Sequence, residues 1–179
     1  EKSSIIKKTA LEIKSELESL GVRVNFDDRE THKPGWKFAE YELKGVPIRL
    51  TIGERDLLDS TIEVARRDTM EKETLQILNI GHKILDILDD MQQNLYSKAD
   101  IFKQKNTNTV DNYNEFKDII AKGGFVYAHW DGSSETEDKI KAETKATIRC
   151  IPIESETEEG KCVYSGKKSI RRVLFAKSY

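Results

Sequence analysis

The first 26 residues constrain the fold more tightly than any other part of the chain. Ile5, Ile6, Thr9, Ala10, Ile13, Leu17 and Leu20 recur at helical spacing. They predict an amphipathic helix, with Ser3-Ser4 offered as its N-cap. Gly21 follows the last apolar position, where a left-handed C-cap glycine belongs. Val22-Arg23-Val24-Asn25-Phe26 then alternates with period two and reads as a strand. Helix, glycine, strand is half of an α/β unit. A strand ahead of Glu1 would complete it, so the sequence reads as clipped at its start.

The same alternation of periods continues along the chain. Asp27 to Gly35 is a polar loop ending in Pro34-Gly35, and Trp36 to Lys44 is a short helix stopped by Gly45. Val46–Ile52 and Thr61–Arg66 are strands, with a turn at Gly53-Glu54-Arg55-Asp56. From Lys72 to about Gln104 the pattern is helical, and Gly81 leaves open one long helix or two. Lys105 to Asn114 is polar and reads as a boundary. Beyond it come a helix over Tyr113–Ala121, a strand over Gly124–Trp130, a charged helix over Ser134–Thr144, and strands over Ala146–Ile153 and Ile170–Ala176. Glu154 to Gly160 is acidic and reads as a mobile loop. The fold class is α/β, in two small units over 1–72 and 109–179 joined by a helical connector over 73–108.

Charge narrows the function. Thirty Lys and Arg stand against 32 Asp and Glu, a formal net charge of −2. That balance excludes a histone-like, purely electrostatic nucleic-acid binder and leaves mixed-charge recognition of a base open. No stretch approaches the roughly 18 apolar residues of a membrane span, and the N-terminus has no signal-peptide core. Neither membrane insertion nor secretion is expected. Two cysteines, Cys150 and Cys162, argue against a disulfide framework and fit a reducing cytosol.

The motifs for chemistry are sparse. His32, His82 and His129 are scattered without metal-ligand spacing, and Cys162-Val163-Tyr164-Ser165 outlines a CxxC pair with a hydroxyl in place of its second thiol. A neutral hydroxyl lacks the charge and softness that zinc takes from thiolate. Cys162 beside Lys161 has no histidine near it in sequence, which leaves little for a thiol enzyme. Neither GxSxG, a Walker A loop nor GxGxxG is present.

The densest polar constellation runs from Asp27 to Asp68 and includes Arg29, Lys37, Glu40, Arg49, Arg55, Asp56, Arg66 and Arg67. Most of it reads as a salt-bridged, solvated surface. Yet Arg29, Lys37 and Glu40 surround a turn with Trp36 and Phe38 adjoining, and Arg55-Asp56 and Arg66-Arg67 fall at strand ends. Alternating acid and base suits an unpaired guanine: a carboxylate accepts from N1–H and the exocyclic amine, while Arg or Lys donates to O6 and N7.

These residues also carry a resemblance. Val24-Asn25-Phe26-Asp27-Asp28-Arg29, Lys33-Pro34-Gly35-Trp36-Lys37-Phe38 and Glu42-Leu43-Lys44-Gly45-Val46-Pro47-Ile48-Arg49 are similar to the anticodon-binding domain of prolyl-tRNA synthetases. Gly53-Glu54-Arg55-Asp56-Leu57 and Ala65-Arg66-Arg67-Asp68-Thr69 continue the match in order. Ala128-His129-Trp130-Asp131-Gly132, Glu143 to Pro152 and Arg172 to Tyr179 resemble the extra C-terminal domain of the archaeal/eukaryotic-like branch.

The resemblance implies an anticodon-binding α/β domain, a mixed sheet with flanking helices, followed by a small α+β C-terminal domain. It implies part of a cytoplasmic class II enzyme that joins proline to tRNA(Pro) with ATP and Mg, typically as a homodimer. The catalytic domain precedes this region, so neither catalytic residue nor cofactor is expected here, nor membrane or DNA as partner. Carried over by position, Arg29, Lys37, Glu40, Arg55 and Asp56 face the anticodon, and Arg66 and Arg67 contact phosphate. Tyr179 is expected to reach toward the enzyme's own catalytic domain. The four zinc-ligand positions of many relatives fall on Asp131, Thr136, Cys162 and Ser165, which predicts a domain without metal. A freestanding α/β module that docks a protein partner is the rival reading.

Overall fold

The computed structural model describes residues 2–153 and 156–178. The chain divides into two compact units, Glu1–Ser97 and Lys98–Tyr179.

In the first unit, helix α1 (Lys2–Ser19) closes on Gly21, which takes φ 84°. The Val22 N–H donates to the Leu17 carbonyl at 3.0 Å, satisfying one of the orphan acceptors of the last turn. Its start differs from expectation, since Ser3 and Ser4 lie inside the helix instead of capping it. Apolar spacing locates the buried face of a helix, and nothing in Lys-Ser-Ser stops the backbone earlier. There follow α2 (Pro34–Leu43), β1 (Ile48–Thr51), the short α3 (Glu54–Leu58), β2 (Thr61–Arg66), β3 (Lys72–Gln76) and the long α4 (Ile80–Lys105).

The three strands form an antiparallel sheet with β2 in the middle, Leu50 opposite Val64 and Ile62 opposite Leu75. Alternate β2 residues Ile62 and Val64 enter a core with Ile13 and Leu17 of α1 and Ile80 and Ile84 of α4. Each such fully buried side chain contributes about 1.5–3 kcal/mol. Gly81 does not interrupt α4; it sits in the first turn, where its N–H donates to Glu16 Oε1 at 2.9 Å. A Cβ there would stand 2.6 Å from Leu20 Cδ1, so a larger residue would make the Leu20 and Glu16 side chains shift.

Further sequence expectations fail in this unit, and Gly53–Asp56, read as a turn, instead opens the helix α3 with Gly53 at its N-cap. Val22–Phe26 is not a strand, although Val22 and Val24 pack against the core while Arg23 and Asn25 face water. Its period-two pattern reports alternating burial, and burial alone does not supply a hydrogen-bonded neighbour. Lys72–Gln76 is the edge strand β3 and not the start of the helix. A tight return through Met70 (φ 61°) brings it beside β2, whose open edge outweighs the helical propensity of Lys, Glu, Leu and Gln.

The second unit contains β4 (Thr107–Thr109), α5 (Tyr113–Lys122), β5 (Phe125–His129), α6 (Ser134–Thr144), β6 (Ala146–Cys150), β7 (Gly160–Lys161), β8 (Lys168–Ser169) and β9 (Arg172–Lys177). Its main sheet has the order β4-β5-β9-β6, with β4 parallel to β5 and the other pairs antiparallel. Asn112 caps α5, its side chain accepting from the N–H groups of Asn114 and Glu115; Ser133 caps α6. Phe116 of α5 meets Phe175 of β9 edge to face at 5.1 Å in the core. Strand β4 lies in the stretch read as a boundary, too short and polar to show a period. Of the acidic loop, residues 154 and 155 lie outside the described residues, whereas Glu158 receives the Arg172 Nε at 2.9 Å and its N–H donates to the Ile170 carbonyl at 2.9 Å. No helix among the described residues is long and apolar enough to cross a membrane.

Candidate nucleic-acid interface

Asp27 organises the polar surface of the first unit. Arg29 donates its Nε to Oδ1 at 2.9 Å and its Nη2 to Oδ2 at 2.7 Å, and the Arg29 backbone N–H adds a bond to Oδ1 at 3.1 Å. The sequence Asp-x-Arg makes this possible, since an Asp side chain reaches the N–H two residues on. From α2, the Lys37 Nζ approaches Oδ1 at 3.3 Å and the Tyr41 hydroxyl donates to Oδ2 at 3.1 Å. Lys37 and Tyr41 are one helical turn apart and so share a face. Asn25 in turn donates to the Tyr41 oxygen at 2.8 Å.

Glu40, on the neighbouring row of α2, extends the network. Its Oε2 accepts from Arg29 Nη2 at 2.6 Å and its Oε1 from Lys44 Nζ at 2.6 Å. Three cations, Arg29, Lys37 and Lys44, against two carboxylates, Asp27 and Glu40, leave one net positive charge. The hydrogen bonds from Arg29 hold the Asp27 carboxyl well below the usual range, and those from Lys44 and then Arg29 lower Glu40. Both stay ionised at neutral pH. The cluster therefore holds acceptors and donors in fixed places, with the Arg29 side chain 41% exposed and those of Glu40, Lys37 and Asp27 only 19%, 17% and 10% exposed.

The aromatic neighbours lie on the same turn and helix. His32 stacks on Trp36 with ring centroids 3.8 Å apart, and the Arg29 guanidinium sits 5.5 Å from the Trp36 ring centroid. Phe38 carries the Arg49 guanidinium at 3.7 Å and joins Val46, Met70, Arg67 and Lys72 around a shallow cavity of about 40 Å³.

The remaining predicted residues divide by what they touch. Asp56 Oδ2 accepts from the Gly53 N–H at 2.8 Å and so caps α3. Arg55 is exposed, its carbonyl accepts from the Asp59 N–H at 3.2 Å, and its side chain makes no hydrogen bond or ion pair with the described residues. Arg66 is spent internally, on Asp68 at 2.9 Å and Asp90 at 2.7 Å, and is only 17% exposed. Arg67 is exposed and uses its Nε on the Glu42 carbonyl at 2.9 Å, which fixes the stem and leaves the guanidinium tip to solvent. Arg29 and Lys37 thus meet at Asp27 and Glu40 joins them through Arg29, whereas no hydrogen bond or ion pair among the described residues ties Arg55 or Asp56 to them. Sequence reading did not single out Asp27, Tyr41 or His32. The available signals were the Asx-turn spacing of Asp27 and Arg29 and the four-residue steps His32–Trp36 and Lys37–Tyr41. Tyr179 lies outside the described residues.

In the second unit, the hairpin β7–β8 carries a tight knuckle. Cys162 N–H donates to the Lys167 carbonyl at 2.8 Å, and Gly166, at φ 70°, donates to the Cys162 carbonyl at 2.9 Å. Beside it, Asp131 Oδ2 accepts from Ser165 Oγ at 2.6 Å and from Thr136 Oγ1 at 2.9 Å, while Oδ1 accepts from the Ser133 N–H at 3.1 Å.

Comparison with known proteins accounts for both units. The model of the family "Anticodon binding domain" matches residues 1–87, and that of "Prolyl-tRNA synthetase, C-terminal" matches residues 113–179. A proline–tRNA ligase of Porphyromonas gingivalis strain W83 is 53% identical over 174 residues, covering 97% of this chain and 35% of the relative. The chain belongs to the prolyl-tRNA synthetase family. The proline–tRNA ligase of Amoebophilus asiaticus strain 5a2 is 51% identical over 180 residues, 100% of this chain and 37% of its own length. That of Bacteroides fragilis strain YCH46 is 52% identical over 171 residues, 93% of this chain and 34% of its own. The chain spans about a third of the length of these relatives and corresponds to their anticodon-binding and C-terminal region.

The prolyl-tRNA synthetase resemblance raised zinc at Asp131, Thr136, Cys162 and Ser165, and these donors do not fit it. One thiol remains, and it is buried. The inward carboxylate oxygen already takes two hydroxyl protons, so Ser165 and Thr136 act as donors where a metal needs lone pairs. No group of three or more His, Cys, Asp or Glu among the described residues is arranged to hold an ion.

Proposed function

We propose that this chain reads the anticodon of tRNA(Pro) for a proline–tRNA ligase, and that the rest of the enzyme performs the chemistry. The observation that carries the reading is the Asp27 hub, which sets the acceptors of Asp27 and Glu40 beside the donors of Arg29 and Lys37, with Arg29 the most exposed of the four. Proline anticodons share two guanines. A carboxylate accepts from the guanine N1–H and amine, and a guanidinium or ammonium donates to O6 and N7. Because the hub is nearly neutral, binding depends on geometry as well as on charge. Arg55 and Arg67, with solvent-facing guanidinium tips, are the cations suited to the backbone of the loop.

In the whole enzyme, ATP and Mg would serve proline activation in the catalytic domain, with this region docked against it. A cytoplasmic homodimer is the expected assembly. The Asp131 network replaces a metal in the second unit.

The test is titration of the chain with the anticodon stem-loop of a proline tRNA, at two salt concentrations. The control loop has both guanines changed to adenine. A loss of tenfold or more on replacement supports base readout, each good guanine contact being worth about 1–3 kcal/mol. Equal, steeply salt-dependent binding to both loops would show that only phosphates are felt.

A further inference from the structure

Trp36 is 47% exposed and belongs to neither hydrophobic core. An indole that served only the fold would bury its large apolar surface, about the costliest in a protein to leave in water. Instead its ring partners are His32, stacked at 3.8 Å and 24°, and the Arg29 guanidinium at 5.5 Å. Both come from the loop that carries Asp27. Trp36 itself is on α2, one residue before Lys37 and one turn before Glu40. The loop is stiffened by the two side-chain hydrogen bonds from Arg29 to Asp27, and tied to α2 by the Lys37 and Tyr41 contacts to the same carboxylate. The aromatic pair is therefore held at a fixed place beside the polar cluster, with nearly half of the Trp36 surface open to solvent.

We propose that the His32–Trp36 pair is a stacking platform for one unpaired base of the RNA loop whose neighbouring bases are read by Arg29, Lys37 and Glu40. This rests on the anticodon reading above and adds to it a residue class that hydrogen bonding does not require. Stacking on an aromatic is tolerant of sequence, because every base has a π face. The platform supplies affinity and fixes the splay of the loop, and the Asp27 hub supplies the choice of base. The Arg29 guanidinium joins the two, since it lies over the indole and is bonded to both carboxylates.

The experiment uses this chain and the proline anticodon stem-loop. Trp36→Ala is expected to weaken binding about 10- to 100-fold, as alanine substitution at a stacking site does, with the slope of affinity against salt unchanged. Trp36→Phe is expected to recover most of the loss. Stem-loops with a single abasic nucleotide then locate the base: at one position the abasic loop binds Trp36→Ala no more weakly than the intact loop does, because the stack is already lost. Thermal melts of both variants report whether the fold is intact. Wild-type affinity in Trp36→Ala, while guanine replacement still costs tenfold, would sink the platform and leave the anticodon reading standing. A Trp36→Ala loss that is the same for every abasic position would also overturn it. Failure of the wild-type chain to bind the stem-loop would remove both.

Discussion

Arg29 grips Asp27 with two side-chain hydrogen bonds of 2.9 and 2.7 Å, although only one residue separates them in the chain. The pair turns a polar loop into a fixed edge, because the same carboxylate also takes Lys37 and Tyr41 from α2. Asp27→Ala releases all three partners at once. Its expected effect is a tenfold or greater loss of stem-loop affinity, with a lowered melting temperature because the carboxylate is only 10% exposed and three partners lose their acceptor. Asp27→Asn is expected to fall between, since the amide keeps one acceptor oxygen. An unchanged affinity in Asp27→Ala would show that the hub does not position the donors.

Acid should unfold the chain through its paired carboxylates. Asp27 and Asp68 are both held well below the ordinary carboxylate range, by Arg29 and by Arg66 respectively. A depressed value in the folded state means stability that is fully present above the unfolded value, about pH 4, and lost as pH falls through the folded one. The urea midpoint is therefore expected to be flat from pH 8 to 5 and to drop below pH 4. Asp68→Asn, which weakens the link to Arg66 and Asn94, should cost about 1–2 kcal/mol at pH 7 and lose less on acidification. Parallel pH curves for variant and wild type would contradict this.

Two adjacent arginines are expected to behave oppositely. Arg66 is bonded to Asp68 and Asp90 and tethers the end of β2 to α4, whereas Arg67 keeps its guanidinium tip in solvent. Arg67→Ala should weaken stem-loop binding and reduce the slope of log affinity against log salt by roughly 0.7, the value for one lost phosphate on a single strand. Arg66→Ala should leave the slope unchanged and lower stability by about 1–3 kcal/mol, since it removes the two hydrogen bonds that Arg66 makes to the buried Asp68 carboxylate. A reversed pattern would mean that Arg66 leaves its carboxylates to meet RNA.

This contrast shows how far the sequence carries. Elements whose period is bounded by turn residues were readable to the residue: the strand Thr61–Arg66 and the helix Ser134–Thr144 stand where the pattern places them. Elements set by a neighbour were not. Val22–Phe26 has the pattern of a strand and no ladder, and Lys72–Gln76 has helical residues and a ladder with β2. The candidate site follows the same division. Composition marked the region of Arg29, Lys37 and Glu40, but that Asp27 takes Arg29 and Lys37, and that Arg29 bridges to Glu40, depends on how the loop meets α2. That meeting is tertiary, as is the internal pairing that separates Arg66 from Arg67.

The knuckle of the second unit offers a test that is independent of RNA. Burial pushes the Asp131 carboxyl up, yet the bonds from Ser165, the Ser133 N–H and Thr136 together outweigh it and hold it below the ordinary range. The network thus ties the hairpin β7–β8 to the start of α6, as a metal would, with hydroxyl protons in place of the ion. Purified protein is expected to contain far less than one equivalent of zinc, and its melting temperature should not respond to a chelator. Asp131→Ala should cost about 2–3 kcal/mol, because it leaves two hydroxyls and an N–H without their acceptor. The combined variant Asp131→Cys, Thr136→Cys and Ser165→Cys would place thiols beside Cys162, and it is expected to bind one zinc with four sulfur ligands at about 2.3 Å. Stoichiometric, tightly held zinc in the unaltered chain would contradict the replacement of metal by hydrogen bonds. Failure of the thiol variant to take zinc, with its fold intact, would show that Cys162 does not point to the same centre as the other three.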